Sequence, residues 1–447
     1  MVDQKRDWSR RGFLKTAGLA AVAKLNEIYG DESKNRIEYV DKELDHPWEN
    51  GLYSTLAGLA LGPDSNLPGS EWANSRLGRI GGKPAKKVEK CKIKVNGTDG
   101  DFNLSYVDCG KSAPLVVVVP GLRGGSEELD SMVWMKWLSE MGYGSVSYDS
   151  TFSPRMVSKG KYGVPGNLEK EAEFAGRIIS EFMNSRNLKP EKIGAVGRSY
   201  GAVQSIWLDI LSQQNKIGFK IDRVLAYTPP ISMDETMKLL DDKFRRAMET
   251  KDELERTKGQ SAADQYNIIN MYLEFVKYNK PEYPMPKKFN VEKADLCLGR
   301  FFNYALGDTL EAAITAFPEV ERSIIINGKS LREAMRESGD EKSVRRDYAN
   351  GMSYGQFYEM MVGPYWNNKS YSKEMILNNG EIYSLMGKVG DGVNLILTRN
   401  DPINREGAAS VFENINSKGK FSILKRGGHC GFCLSKWAQL RMKQIFD

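Results

Sequence analysis

The sequence predicts an α/β fold: a mostly parallel sheet, led by an antiparallel hairpin and broken by a large helical insertion between its sixth and seventh strands. Three observations carry that expectation. From residue 113 to residue 230, short apolar runs alternate with amphipathic segments of helix length, the pattern of strand–helix–strand crossovers. Leu115–Val119 reads Leu-Val-Val-Val-Val, a continuous apolar run suited to a strand covered on both faces. The alternation then stops at Pro229-Pro230 and resumes only at Val393, and the roughly 160 residues between are too many for a loop.

Taken in order, residues 88–109 predict the hairpin. Cys91, Ile93 and Val95 alternate with polar residues before an Asn96-Gly97 turn, and Phe102, Leu104 and Tyr106 alternate after it. Pairing Val95 with Phe102 places Cys91 opposite Tyr106, so a Cys91–Cys109 disulfide would need another register. Lys90, Lys92 and Lys94 line the wet face, where they discourage edge-to-edge pairing. After Leu115–Val119, the residues Leu129, Met132, Val133 and Trp137 recur at helical spacing. Ser145–Tyr148 is the next strand, and Asn167 caps a helix that carries Leu168, Ala172, Ala175, Ile179 and Phe182 on one face. Strands at Ile193–Val196 and Val224–Tyr227 flank a helix at Tyr200–Leu211. The insertion reads as mostly helical, for example Tyr266–Tyr278 and Phe301–Phe317. A strand at Val393–Thr398, a helix at Glu406–Asn416 and a strand at Phe421–Leu424 complete the series. The expected organisation is residues 1–23 as a signal, 24–87 as an N-terminal extension wrapping the main domain, 88–230 and 391–447 as the two parts of the core, and 231–390 as a helical cap.

Composition narrows the function. With 447 residues the chain exceeds the roughly 100–200 of a typical single domain. Its 40% apolar and 27% charged residues exclude a disordered chain. Five cysteines exclude a disulfide-dense scaffold, and two histidines, His46 and His429, argue against a multi-histidine metal site. No unbroken apolar stretch is long enough to cross a bilayer. The formal charge of +6 is mild, and half of it sits in residues 1–23, so no nucleic-acid partner is expected.

Ser9-Arg10-Arg11-Gly12-Phe13-Leu14-Lys15 resembles a twin-arginine export signal. Thr16–Ala23 follows as its apolar stretch, and Ala21-Val22-Ala23 as a cleavage site. That resemblance implies passage of the folded protein through the export machinery to a periplasmic or external location. The competing expectation is a basic amphipathic helix on a cytoplasmic protein.

The chemistry concentrates at Gly197-Arg198-Ser199-Tyr200-Gly201, a G-x-S-x-G motif between an expected strand and an expected helix. Small flanking residues let a sharp turn raise the hydroxyl above the sheet, and the helix N-terminus behind it favours developing negative charge. A serine hydroxyl needs an adjacent base. His429 follows the last strand within Arg426-Gly427-Gly428-His429-Cys430-Gly431-Phe432, and His46 lies outside the core. Asp401 follows Val393–Thr398 and precedes Pro402, which keeps it extended; it is the candidate that orients the imidazole. Asp391 precedes the same strand and would fall at the wrong end of the sheet.

With these residues the chain resembles the α/β-hydrolases, in the family's order of nucleophile, acid and histidine. Asn400-Asp401-Pro402-Ile403 and Gly428-His429-Cys430-Gly431-Phe432 are similar to carboxylesterases of medium and long acyl chains. The resemblance implies a catalytic triad of Ser199, Asp401 and His429, and an oxyanion hole from the backbone N–H groups of Tyr200 and of Leu122 in Pro120-Gly121-Leu122-Arg123-Gly124-Gly125. It implies a small or lipid-like acyl substrate and no metal or organic cofactor. The expected activity is ester hydrolysis; the competing expectations are a serine peptidase of the aminopeptidase kind and a catalytically silent binding protein. Arg123 is expected at the surface. Asp149, at the same edge of the sheet, receives no role. Cys430 and Cys433 read as packing thiols rather than a redox or zinc pair. The cluster of Met352, Tyr354, Phe357, Tyr358, Met360, Met361, Tyr365 and Trp366 reads as core, with an acyl-chain pocket as its alternative.

Overall fold

A computed structural model describes residues 37–39, 51, 52, 54, 55, 88–249 except 123 and 161, 291–414 and 419–447. The twin-arginine segment, His46, Arg123 and the expected helix at Tyr266–Tyr278 lie outside the described residues.

Nine strands form the main sheet: β1 (Ile37–Tyr39), β2 (Glu89–Lys94), β3 (Asp101–Val107), β4 (Leu115–Val119), β5 (Gly144–Tyr148), β6 (Ile193–Arg198), β7 (Arg223–Tyr227), β10 (Val393–Thr398) and β11 (Lys420–Leu424). A separate two-stranded ribbon, β8 (Ile325–Ile326) and β9 (Lys329–Ser330), lies in the insertion. The order across the main sheet is β1-β11-β10-β7-β6-β4-β5-β3-β2. Every neighbouring pair is parallel except those of β3, which runs antiparallel to both β2 and β5.

The run that reads as a doubly covered strand is one. Leu115, Val117 and Val119 pack into the layer that holds helices Leu168–Arg186 and Tyr200–Gln213, while Val116 and Val118 pack into the layer of helices Leu129–Glu140 and Lys436–Phe446. Full burial of each such side chain stabilises the fold by about 1.5–3 kcal/mol. Asn167 caps its helix as its position suggests, its side chain accepting from the Lys170 N–H at 3.3 Å. Between β7 and β10 the described chain is mostly helical, beginning with Met233–Glu249 and Val291–Ala316. It packs on the segment that follows β5: Thr309 Oγ1 donates to the Phe152 carbonyl at 2.6 Å.

Three expectations are corrected. The hairpin pairs Ile93 with Phe102 and Cys91 with Leu104, two residues away from the expected register. Thr98 closes the turn early, its N–H and its hydroxyl both donating to the Val95 carbonyl (3.2 and 2.6 Å), so Val95 is already outside the ladder. A slip of two leaves each side chain on its intended face. The helix expected at Glu406–Asn416 is a 3₁₀ segment, Ala408–Asn414, because Gly407 takes a left-handed φ of +78°. The extension is not wholly outside the sheet: β1 pairs with β11, Ile37 opposite Phe421. Three residues carry too little periodicity to be read as a strand.

The result is a mostly parallel sheet with an antiparallel hairpin, as the sequence predicts, widened by one N-terminal strand. Ser199, Asp401 and His429 follow the C-terminal ends of β6, β10 and β11, so all three are at one rim. Asp391 lies at the other end, where it lines a cavity of about 430 Å³ with Lys192 and Arg223.

Candidate active site

Ser199 occupies the turn from β6 into helix Tyr200–Gln213 with φ 53° and ψ −127°, backbone that a residue with a side chain rarely adopts. The flanking glycines have a steric reason. A Cβ on Gly197 would stand 2.2 Å from the Gly201 carbonyl oxygen, and one on Gly201 would stand 2.2 Å from that of Pro120. The Ser199 N–H donates to the Tyr227 carbonyl at 2.9 Å, fastening the turn to β7.

His429 is delivered by a loop whose glycines take left-handed backbone, Gly427 at φ 129° and Gly428 at φ 58°. The Gly428 N–H donates to Asn400 Oδ1 at 2.9 Å, and Thr398 Oγ1 donates to the Gly428 carbonyl at 2.7 Å. The histidine loop is therefore tied to β10 and to the residue before Asp401. Its third tie comes from the extension: the His429 N–H donates to Thr55 Oγ1 at 2.7 Å. A Cβ on Gly428 would stand 2.1 Å from the Gly51 carbonyl oxygen, and one on Gly431 2.3 Å from that of Ser54. Gly51 and Thr55 carry no motif, and nothing in their sequence context signals that they pack on the histidine loop, Thr55 on a histidine 374 positions away.

The three candidate side chains meet. His429 Nε2 lies 2.8 Å from Ser199 Oγ, and His429 Nδ1 lies 2.9 Å from Asp401 Oδ2. The second carboxylate oxygen of Asp401 accepts the Ile403 N–H at 3.0 Å. An ionised carboxylate only accepts, so Nδ1 carries the proton and Nε2 is free to accept from the serine hydroxyl. All three residues are buried. Burial opposes charging the imidazole, but the Asp401 carboxylate outweighs it and holds His429 above the ordinary imidazole range.

Leu122 lies in a turn closed by the Gly124 N–H on the Gly121 carbonyl at 3.0 Å, and the Pro120–Leu122 loop lies against the serine turn. Among the described residues neither the Leu122 nor the Tyr200 N–H donates to a backbone carbonyl outside its own helix or strand. Arg198 is occupied elsewhere, paired with Asp130 and with Glu128 at 3.3 Å. Asp149 accepts the Ser126 N–H at 3.0 Å and pairs with Arg155 at 3.1 Å.

Cys430 and Cys433 are free and buried; Cys430 Sγ sits 2.9 Å from Thr228 Oγ1. In the aromatic and methionine cluster every member but Met360 is buried. Trp366 Nε1 donates to the Val164 carbonyl and Tyr358 OH to that of Gly166, each at 2.8 Å, so the cluster joins the insertion to the chain after β5. Among the described residues no group of three His, Cys, Asp or Glu side chains is placed to hold a metal, and no helix is long and apolar enough to cross a membrane.

No protein-family model and no curated protein matches the sequence. Solved structures align with the chain at low identity. An esterase of Pyrococcus furiosus is 12% identical over 81% of this chain and 90% of its own, with a TM-score of 0.42. The acylaminoacyl peptidase of Pyrococcus horikoshii is 13% identical over 81% of this chain and 40% of its own, TM-score 0.39. The 2,6-dihydroxy-pseudo-oxynicotine hydrolase is 11% identical over 81% of this chain and 68% of its own, TM-score 0.42.

Proposed function

We propose that the protein is a serine hydrolase that cleaves acyl esters through an acyl-enzyme on Ser199. The observation that carries the reading is the unbroken line from Ser199 Oγ to His429 Nε2 (2.8 Å) and from His429 Nδ1 to Asp401 (2.9 Å). Ser199 Oγ attacks the substrate carbonyl while His429 Nε2 takes the hydroxyl proton, and Asp401 stabilises the imidazolium through Nδ1–H. The Leu122 and Tyr200 N–H groups receive the oxyanion, each contributing about 3–4 kcal/mol to the transition state. His429 returns its proton to the leaving alcohol oxygen, then deprotonates the water that attacks the acyl-enzyme and frees Ser199. Every atom transferred belongs to substrate, water or these side chains.

An ester is the substrate class that asks least of this apparatus, because its carbonyl lacks the resonance stabilisation of an amide and an alkoxide leaves more readily than an amide anion. The test is a fluorophosphonate probe together with matched panels of acyl esters and aminoacyl amides. Labelling and ester turnover, both abolished in Ser199→Ala, are the expected results. Amide turnover without ester preference would favour a peptidase, and no labelling of folded protein would favour a silent binding protein. Export by the twin-arginine signal belongs to the same proposal; an intact Met1 on a cytoplasmic protein would refute it.

A further inference from the structure

Behind the two backbone donors lies one short stretch of chain, Asp149-Ser150-Thr151, where β5 ends. Toward the Leu122 loop it makes three bonds. Ser150 Oγ donates to the Leu122 carbonyl at 3.0 Å, the Ser150 N–H donates to the Gly124 carbonyl at 2.7 Å, and Asp149 Oδ1 accepts the Ser126 N–H at 3.0 Å. The Gly121–Gly124 turn that presents the Leu122 N–H is thus held from outside at Leu122 and at Gly124.

Toward Tyr200 it acts through a buried carboxylate. Thr151 Oγ1 donates to Glu171 Oε2 at 2.5 Å, and the Tyr200 hydroxyl donates to both Glu171 oxygens at 2.8 Å. Gln204 Nε2 (3.0 Å) and the Gly166 N–H (2.6 Å) complete the set around this wholly buried side chain. All four partners are neutral donors. Tyr200 and Gln204 are one turn apart on the helix behind Ser199, so Glu171 grips the first turn of that helix at two points.

We propose that Asp149-Ser150-Thr151 is the positioning element of the oxyanion hole, with Ser150 holding the Leu122 arm directly and Thr151 holding the Tyr200 arm through Glu171. The proposal rests on the hydrolase reading above. The physical argument is preorganisation. A backbone donor stabilises an oxyanion only if it already points at the place where the charge develops, and its direction is set by what holds the neighbouring carbonyls and side chain.

The test uses the full chain with Ser150→Ala and Tyr200→Phe, each of which removes one oxygen and leaves both N–H donors in place. The measurements are kcat and KM on a p-nitrophenyl ester, inhibition by a trifluoromethyl ketone whose hemiketal presents an oxyanion, and melting temperature. Each variant should lower kcat by about 10- to 100-fold with KM within about threefold, since a displaced donor retains part of its effect. The ketone should weaken in proportion to kcat/KM, and Ser150→Thr should regain more than half of the loss. Variants with lower melting temperature but unchanged kcat would make the bonds structural only and overturn the proposal. A fall in kcat without weaker ketone binding, or a failure of Ser150→Thr to restore it, would do the same. Wild-type protein that is labelled by fluorophosphonate while the variants match it refutes the positioning role alone; wild-type protein that is neither labelled nor active refutes the hydrolase reading and this proposal with it.

Discussion

Asp401→Asn is the substitution for which the geometry makes the sharpest demand. The Ile403 N–H donates to Asp401 Oδ1 at 3.0 Å, so an acceptor must stay on that side of the group. The new amide must therefore place its oxygen there and its NH₂ where Oδ2 stands, 2.9 Å from His429 Nδ1. Two donors cannot face each other, so Nδ1 loses its proton and Nε2 gains it. The imidazole then donates to Ser199 Oγ across the 2.8 Å contact and cannot accept from it. Forcing this tautomer in a serine-protease triad costs about 10⁴-fold in kcat, equivalent to about 5.5 kcal/mol of barrier, and the same loss is expected here. Shape and volume barely change, so the melting temperature should move by only a few degrees. The assay is kcat on a p-nitrophenyl ester together with the rate of fluorophosphonate labelling, both on protein whose melting has been checked. A variant that keeps kcat within tenfold of wild type would show that the Asp401–His429 contact does not set the tautomer.

Because the Asp401 carboxylate favours the imidazolium, the base form of His429 appears only at higher pH. The acid limb of kcat/KM should lie above the ordinary imidazole value of about 6.5 and move downward in Asp401→Asn. Thr55→Val keeps volume but leaves the buried His429 N–H unpaired; it should cost about 1–3 kcal/mol of stability in denaturant titration and lower kcat more than it changes KM. Gly428→Ala forces a Cβ to 2.1 Å from the Gly51 carbonyl oxygen at φ 58°, so it should destabilise by more than about 2 kcal/mol and expose the extension to limited proteolysis. Cys430 and Cys433, both buried, should resist iodoacetamide in the folded protein and react once it is unfolded.

The parts of this molecule legible in the sequence are those whose physics is local. Leu115–Val119 is a strand as read, because five apolar residues in a row announce a doubly covered strand without reference to anything else. Gly197 and Gly201 announce the serine turn because the clash they avoid lies within or against that turn. The register of the hairpin was less legible, since it depended on the Thr98 hydroxyl closing the turn two residues early. The role of Gly51, Ser54 and Thr55 was not legible at all. Its content is one hydroxyl and several carbonyl oxygens meeting a distant loop, and backbone oxygens have no sequence signature. The Ser150 and Glu171 contacts were hidden for a similar reason: each is an ordinary polar residue until the fold places a carbonyl or a phenol beside it.

The backbone shows where the fold holds strain. Seven residues other than glycine have positive φ among those described. Asn187, Asn215 and Asn327 are the residue type that takes this conformation most cheaply. Ser199, Thr228, Cys430 and, in the insertion, Ser370 are not; Thr228 at φ 41° is β-branched, the costliest case, and it shares one region with Ser199 and Cys430. These three are joined to one another through the site. Ser199 is bonded to the residue before Thr228, and Thr228 Oγ1 accepts the Cys430 N–H at 3.2 Å, next to the histidine that meets Ser199. At about 1–3 kcal/mol each, such conformations persist only where the surroundings over-determine them. Here the over-determination has identifiable sources: Gly197 and Gly201 admit the serine turn, the Ile396 carbonyl accepts the Thr228 N–H at 2.7 Å, and Thr55 and Asn400 hold the histidine loop. The three strained residues stand at the ends of β6, β7 and β11, where the Ser199 hydroxyl meets the His429 imidazole. Gly51, Ser54 and Thr55 add to that hold by packing against the histidine loop.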